Sequence, residues 1–322
     1  MTAPGSPASG RDFDVLVVGD VNPDILVPDA DPRFGQQEVL VERIDLTIGG
    51  SAGIMAAAAA RLGLRTAIVG VVGDDVLGRF MTEALAARGV DVAAVRVDRN
   101  RPTGATVILA RPTDRAILTA QGTIADLGPA ALADALLTRT RHVHVASLFL
   151  QPAICAALGS IADRVHAAGA TFSVDPNWDP SGDWDGGLVA ALPAIDLFLP
   201  NAEEARRIAR EPELATAALA LHGHGPGPIV AVKRGPDGAL AVDGDGALVE
   251  VPGLPAQPVD STGAGDAFDA GFLAAWLRGG SVRDALALGA ACGALSTRAL
   301  GGTEGQPSLA EAEAALAAWS VS

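Results

Sequence analysis

The stretch of this sequence richest in chemistry is Asp260-Ser-Thr-Gly-Ala-Gly-Asp-Ala-Phe-Asp-Ala-Gly-Phe272. Gly263, Ala264 and Gly265 are small enough for several backbone N–H groups to crowd around one point, and the helix beginning there aims its positive dipole end at that point. Such a cluster is an anion hole. Asp266 falls in the first turn, where the dipole holds a carboxylate within reach of whatever the hole binds. In a phosphoryl transfer, a carboxylate so placed accepts the proton of the attacking hydroxyl while the hole stabilises charge on the transferring group. On this stretch alone a plainer alternative stands level with it: Asp266 as an ordinary N-terminal helix residue after a glycine turn. Phe268, Phe272 and Trp276, four residues apart, read as a buried stripe and not as a cofactor box. There is no GxxxxGK[ST] loop, and no GxGxxG follows the first strand, where the sequence reads Gly19-Asp-Val-Asn-Pro-Asp24; nucleotide binding of those two kinds is excluded.

The elements that must position these residues show as short β-branched runs alternating with Ala/Leu segments of helical character. The runs are 15–18, 67–72, 142–145, 171–174, 197–199 and 229–232. Buried strands alternating with helices predict an α/β protein whose mostly parallel central sheet lies between two helical layers. Two segments break the rhythm, Gln37 to Ile48 and Pro102 to Gln121. Val39-Leu-Val41, Ile44, Leu46, Val107-Ile-Leu109 and Ile117-Leu118 read there as extended strands with no helix between them, forming a small β-sheet lid, with edge strands of the main sheet as the plainer alternative. A hairpin is expected around Gly244-Asp-Gly246, followed by helices near 264–279, 282–299 and 308–319, the last opened by a Ser308/Glu311 capping box. The expected organisation is a disordered tail over 1–11 and one domain over 12–320, with the lid formed by about 36–48 and 101–122.

Composition bounds the function. The chain has 322 residues, 38 acidic against 23 basic, and a formal charge of -15, which disfavours neutralising a nucleic-acid backbone. Cys155 and Cys292 are far apart and outside any metal-ligand spacing, so they read as small buried hydrophobes. The opening MTAPGSPASGR has no apolar core of a signal peptide, and the longest apolar stretches fall short of the roughly 20 residues that span a bilayer. A cytoplasmic protein without membrane or nucleic-acid partners is expected. His142 and His144 share a strand face but lack further ligands, which favours structural histidines over a metal site.

Taken together the motifs resemble the ribokinase-like (PfkB) family of carbohydrate and nucleoside kinases, in family order from about Asp14 to about Leu309. The resemblance implies the ribokinase-like three-layer fold with a small lid sheet, and an ATP-dependent phosphotransferase acting on an alcohol. It assigns Asn22 and Asp24 of the first turn to substrate, together with Gly49 and Gly50 of the Ile48-Gly-Gly-Ser-Ala-Gly-Ile54 signature. Pro200-Asn-Ala-Glu-Glu204 resembles the NxxE motif, which gives Asn201 and Glu204 the placing of Mg²⁺ through water. Lys233, Gly235 and Gly238 of Val232-Lys-Arg-Gly-Pro-Asp-Gly238 fall to the nucleotide, with Thr262. Asp266 becomes the catalytic base. Asp260, the Thr262 backbone and Gly301-Gly302 match part of a K⁺ site. A homodimer through the lid is expected.

Each motif also admits a bland reading: Gly49-Gly50 as a turn, Asn201 and Glu204 as a capping box, Lys233 as a solvated strand-end charge. Two positions depart from the family pattern. Ile54 stands where the family has an Asn for a sugar hydroxyl, and Asp179 stands where the fructokinase branch has an Arg. Ile54 can neither donate nor accept, so either another group takes over or the substrate presents an apolar edge there. The cation missing at Asp179 weakens the case for a carboxylate- or phosphate-bearing substrate, and the preferred acceptor is a small neutral sugar or sugar-like polyol. A nucleoside kinase on the same fold, a non-catalytic sugar- or nucleotide-binding protein and, more remotely, a dinucleotide oxidoreductase are the alternatives.

Overall fold

The computed structural model describes residues 10–28, 30, 32, 35, 38–110, 115–223 and 227–319. Most of the tail assigned to 1–11, residues 36–37 and 111–114 of the lid, and residue 320 lie outside the described residues.

The chain forms strands β1 (Phe13–Val18), β2 (Pro23–Val27), β3 (Asp45–Ile48), β4 (Thr66–Gly73), β5 (Val95–Asp98), β6 (Ala105–Ala110), β7 (Arg115–Ala120), β8 (Thr140–Val145), β9 (Thr171–Val174), β10 (Leu197–Phe198), β11 (Ile229–Lys233), β12 (Ala239–Val242) and β13 (Leu248–Val251). Its helices of eight residues or more are α1 (Ser51–Arg61), α2 (Val76–Ala87), α3 (Leu158–Ala167), α4 (Ala202–Ala209), α5 (Leu214–His222), α6 (Ala264–Trp276), α7 (Val282–Ser296) and α8 (Leu309–Trp319).

Among the described residues nine strands make the large sheet in the order β13-β12-β11-β10-β9-β8-β1-β4-β5; the β11–β12 and β12–β13 pairs are antiparallel and the other pairs are parallel. Successive side chains of a strand point to opposite faces, and β1 shows the result. Val15 and Val17 join the core beneath α1, α6 and α7, while Leu16 and Val18 join the core beneath α3, α4 and α5. Burial on both faces is why these strands read as continuous apolar runs. The ribokinase-like three-layer α/β/α architecture expected from the sequence is the one observed.

The second sheet has the order β3-β2-β6-β7. It includes β2, which the sequence reading took as a turn because Pro23 and Asp24 are turn formers. Conversely, Val39-Leu-Val41 forms no strand and Leu40 is exposed. The β2–β3 ladder ends at Leu26 opposite Asp45, and beyond Val27 the chain meets Pro28, which has no N–H to extend a ladder.

The Ala- and Gly-rich character serves the α6–α7 contact. A Cβ at Gly271 would lie 2.8 Å from Leu288 O and 2.9 Å from Cys292 Sγ; one at Gly289 would lie 3.0 Å from Phe268 O; one at Gly293 would lie 3.0 Å from Ala264 O. The two helices therefore touch backbone to side chain along their length. Gly271→Val overpacks this contact and is expected to cost about 1–3 kcal/mol, seen by calorimetry as a fall in Tm of at least about 2–4 °C. An unchanged Tm would show that the helices can part at no cost.

Candidate functional site

Strand ends collect the polar residues. Asp20 follows β1, Ser147 follows β8, Asp175 follows β9, Asn201 follows β10 and Lys233 closes β11, so the carboxyl edge of the parallel strands is where ligands are met in such sheets. The start of α6 is brought to that edge. Gly263 precedes it at φ +73, a left-handed conformation suited to glycine. A Cβ there would also lie 2.7 Å from Ile54 Cγ2 and 2.9 Å from Gly302 Cα. No side chain caps the helix, and the N–H groups of Gly265 and Asp266 belong to the first turn, which has no helical acceptor for them.

Two cavities flank this helix start. The larger, about 460 Å³, is lined among others by Asn22, Asp24, Gly50, Ile54, Thr262, Gly263 and Asp266, with Thr106, Ile108 and Ile117 of the small sheet facing it. The smaller, about 280 Å³, is lined by Lys233, Gly235, Gly238, Ala264, Gly265 and Phe268 among others. Ser261 borders both. Ten sequence-predicted residues thus sort to the two sides of one glycine turn, Asn22, Asp24, Gly50, Gly263 and Asp266 on the larger cavity and Lys233, Gly235, Gly238, Ala264 and Gly265 on the smaller, while Gly49 and Asp260 line neither. Thr262 is the exception to its expected side: it lines the larger cavity, since its N–H and Oγ1 fold back onto Asp260 Oδ1 at 2.9 and 2.8 Å. Asp260 Oδ2 in turn accepts from Gly301 N at 2.9 Å, which joins the two segments assigned to a monovalent cation.

Buried carboxyls dominate the larger cavity. Asp20 accepts from Ser51 N and Ala52 N at 3.1 and 3.0 Å, capping α1, and burial pushes its carboxyl up. Burial, then the charges of Asp20 and Asp260, push Asp24 up to about 7. Gly49 has to be glycine because a Cβ there would overlap the Asp24 carboxylate, and Gly50 (φ +68) because a Cβ would lie 2.7 Å from Asn22 Oδ1. That Asn22 oxygen is buried without a hydrogen-bond partner among the described residues. Asp266 is raised well above the usual carboxylate range, first by burial and then by Asp175, with Lys233 and a hydrogen bond to Ser51 working the other way. A carboxylate whose proton affinity is raised takes up a proton more readily.

Lys233 is no solvated strand-end charge. Its Nζ donates to Asp175 Oδ2 at 2.7 Å and to both oxygens of Asp269 at 3.1 Å, with 10% of its side chain exposed. Desolvation opposes its charge, but Asp175, Asp269 and Glu204 outweigh that and hold it protonated. Asp175 and Asp269 hydrogen-bond each other; Asp269, fully buried, is pushed well up and holds the proton, while Asp175 stays ionised against Lys233. The sequence reading missed this pair. For Asp269 the signal was there: it lies three residues after Asp266, on the same helical face. Asp175 needed the strand order.

Asn201 and Glu204 form a complete capping box at α4: Asn201 Oδ1 accepts from Glu203 N and Glu204 N, and Glu204 Oε2 accepts from Asn201 N at 2.8 Å. They line neither cavity, but an isolated bridge sets Asn201 beside Lys233, and burial with the Asp175 charge pushes Glu204 up to about 7. His142 and His144 are buried on β8, bonded to Thr171 and Ser173 hydroxyls at 2.6–2.8 Å, with burial keeping both neutral. Among the described residues no group of three His, Cys, Asp or Glu is placed to hold a metal, and no helix is long and apolar enough to cross a membrane.

Comparison with known proteins gives a match over residues 12–309 to the model of the pfkB family carbohydrate kinases. The chain is 35% identical over 309 residues to an ATP-dependent ribose-1-phosphate kinase of Halopiger xanaduensis, covering 94% of this chain and 97% of that protein. Among solved structures, a ribokinase II of E. coli in complex with ATP and Mg²⁺ aligns with a TM-score of 0.84 and 25% identity, over 95% of this chain and 99% of the other. A double-mutant fructokinase of Vibrio cholerae with fructose, ADP and potassium bound aligns with a TM-score of 0.78 and 26% identity, over 96% and 99%.

The Asp24 environment has a measurable consequence. Its carboxyl titrates at about 7 in the fold and near 3.9 in an unfolded chain, so between those values the native state binds the extra proton. The stability this group contributes is complete below the unfolded value and is lost as pH rises through the folded one. Asp24→Asn is therefore expected to raise the calorimetric Tm at about pH 8 by about 2–4 °C or more, a gain that shrinks on acidification and vanishes below about pH 4. A Tm gain independent of pH would rule out this origin.

Proposed function

The chain belongs to the pfkB family of carbohydrate kinases, and from that premise we propose that it moves the γ-phosphoryl group of ATP onto a hydroxyl of a small neutral sugar or sugar-like polyol, with Asp266 as general base. It is an ATP-dependent carbohydrate kinase by family; the acceptor and the residue roles are our reading. The observation that carries it is the start of α6 lying between two cavities, Asp266 lining the larger and Ala264 and Gly265 the smaller. An acceptor in the first and a nucleotide in the second meet in line across the N–H groups of the turn.

In this reading the acceptor hydroxyl gives its proton to an Asp266 carboxylate oxygen as its own oxygen bonds to the γ-phosphorus; the bond from that phosphorus to the bridging oxygen breaks and ADP leaves. The N–H groups of Gly263, Gly265 and Asp266 hold the phosphoryl oxygens, that of Ala264 being given to Ser261 O at 3.3 Å. Asn22, Asp24, Gly49 and Gly50 orient the acceptor, and Lys233, Gly235, Gly238 and Thr262 serve the nucleotide side. Glu204 and Asn201 would hold Mg²⁺ through water. Their fit rests on the buried Glu204 carboxyl, raised to about 7, an oxygen donor whose ionisation a hard cation restores. Bound there, the ion neutralises polyphosphate charge. The Asp260 turn, closed onto Gly301, is where a potassium ion would lie. The small sheet over the larger cavity excludes water. A neutral acceptor is favoured over a phosphorylated one because Asp20, Asp24 and Asp266 line the larger cavity and none of the described residues lining it is basic.

We assign the expected homodimer to the outer face of the small sheet. Leu46, Ile25, Val107 and Leu118 lie directly opposite one another across its four strands, with Leu46 and Leu118 41% and 62% exposed. Two copies each carrying -15 approach best through a face without charge.

Purified protein with Mg·ATP is expected to release ADP in the presence of at least one member of a panel of sugars, polyols and nucleosides. Asp266→Asn should lower kcat by roughly 10²–10⁴-fold with ATP affinity nearly unchanged; turnover at the parental rate would remove the base assignment, and a silent panel would favour a binding protein. By light scattering the parent should be a dimer and Leu118→Glu a monomer that keeps its fold; a dimeric variant would place the contact elsewhere.

A further inference from the structure

We infer that Trp178 is a specificity-determining residue of the acceptor cavity, and that the sugar-like acceptor proposed above narrows to a glycoside carrying a planar aromatic ring, a nucleoside being the type. The inference rests on the kinase reading above for the reaction, and on the lining of the larger cavity for the substrate.

Trp178 lines that cavity and is 54% exposed. Its ring is held in place without being covered. Trp184, itself buried, meets it edge-on at 4.9 Å and 89°, Phe149 meets Trp184 edge-on at 6.0 Å, and the Arg207 guanidinium sits 5.4 Å from both indole centres. Arg207 is anchored in turn by Glu203 at 2.7 Å. The loop accepts strain to do this: Asn177 (φ 55) and Trp184 (φ 61) are both in the left-handed region that costs a side-chain-bearing residue free energy. Hydrogen bonds over-determine it. Asn177 N donates to Asp175 Oδ1, Trp178 N to Asn177 Oδ1, Ser181 N to Asp179 Oδ1 and Trp184 N to Asp179 Oδ2, all at 2.6–2.9 Å. Asp179, where the fructokinase branch has an Arg, is therefore the brace of the loop that displays the indole. Strain of this kind collects at ligand sites.

The cavity offers both polar and apolar surface. Asp266, Asp24 and the unpartnered Asn22 Oδ1 are buried and offer acceptors to hydroxyl groups. Trp178 and Ile117 are half exposed, with Ile54, Ile108 and Leu150 also lining the cavity. A bare sugar satisfies the buried acceptors and leaves the indole uncovered. A ring attached to the sugar lies against it, and stacking of a base on an aromatic side chain is a strong, geometry-tolerant contact.

Adenosine and methyl β-D-ribofuranoside test this, since they present the same furanose hydroxyls and differ in the planar ring. With Mg·ATP, kcat/KM for adenosine is expected to exceed that for the ribofuranoside by about tenfold or more, and Trp178→Leu to lower it by roughly 10- to 100-fold, through KM. The same variant should change ribofuranoside kinetics less than about twofold, and Trp178→Phe, which keeps an aromatic face, should retain adenosine turnover within about threefold. Equal losses for both acceptors, no loss for either, or a Phe variant as impaired as a folded Leu variant each overturn the stacking role. If the parent phosphorylates neither acceptor, the kinase reading fails for this class and calorimetric titration decides Trp178 separately. Adenosine binding that Trp178→Leu loses and Trp178→Phe keeps supports it; no binding, or binding indifferent to Trp178, overturns it.

Discussion

A helix that offers its first N–H groups to a ligand must be held from behind, because nothing on the ligand side steadies it. In α6 the hold is made by contacts too close to admit one more methyl group. Gly263 turns left-handed where a Cβ would strike Ile54 and Gly302, and Ala264 O rests against Gly293 where a Cβ would lie 3.0 Å away. Phe268, one turn on, packs against Gly289. Gly293 with Ala290 and Ala294 also lines the smaller cavity, so the small residues that let α7 brace α6 also leave room beside it. The Ala- and Gly-rich composition is therefore a requirement of this site as well as of the core.

The second constraint is charge. Asp20, Asp24, Asp175, Glu204, Asp266 and Asp269 are all buried near the carboxyl edge, with Lys233 the ammonium among them. Six carboxylates around one cation cannot all ionise in a medium of low polarity. The fold resolves this by giving Lys233 to Asp175, letting Asp269 hold a proton, and pushing Asp24, Glu204 and Asp266 upward. Burial thus favours the neutral form of these carboxyls, and a cation or a hydrogen-bond donor brought by a ligand works the other way. An overall charge of -15 is compatible with a polyphosphate ligand for the same reason. In the proposed reading phosphate is met by backbone N–H groups and the clamped Lys233, the one basic residue among the described lining of the smaller cavity.

What the sequence made legible follows from how local each signal is. The six strand runs announced themselves because double-sided burial writes an uninterrupted apolar run, and β9 falls on the predicted 171–174. The glycine turn and Asp266 were legible because the chemistry is packed into consecutive residues. Asp175 was not, since a partner 58 residues away on another element leaves no mark on local spacing. Asp20 was hidden by the same cause: it caps a helix 31 residues downstream. The small sheet was read too narrowly, because Pro23 and Asp24 carry turn propensity and only the pairing of β2 with β3 and β6 overrides it.

Ile54 shows why a change of acceptor cannot be confined to the acceptor cavity. Its side chain lines that cavity, and the same side chain fills the space where Cβ atoms of Gly263 and Gly302 would be. Its carbonyl accepts from Gln306 Nε2 at 2.9 Å, and the same nitrogen donates to Gly302 O at 3.1 Å. One residue is therefore both a wall of the larger cavity and the prop behind the glycine turn. A polar residue there would bring a hydrogen-bonding group to the acceptor but would have to satisfy it against two glycines that offer only Cα and carbonyl surface. Exchanging Asn for Ile at this position removes that demand and tightens the turn apolarly. The hydroxyl contact given up must then be met by groups already in the cavity, among which the buried, unpartnered Asn22 Oδ1 is the acceptor that the fold leaves open.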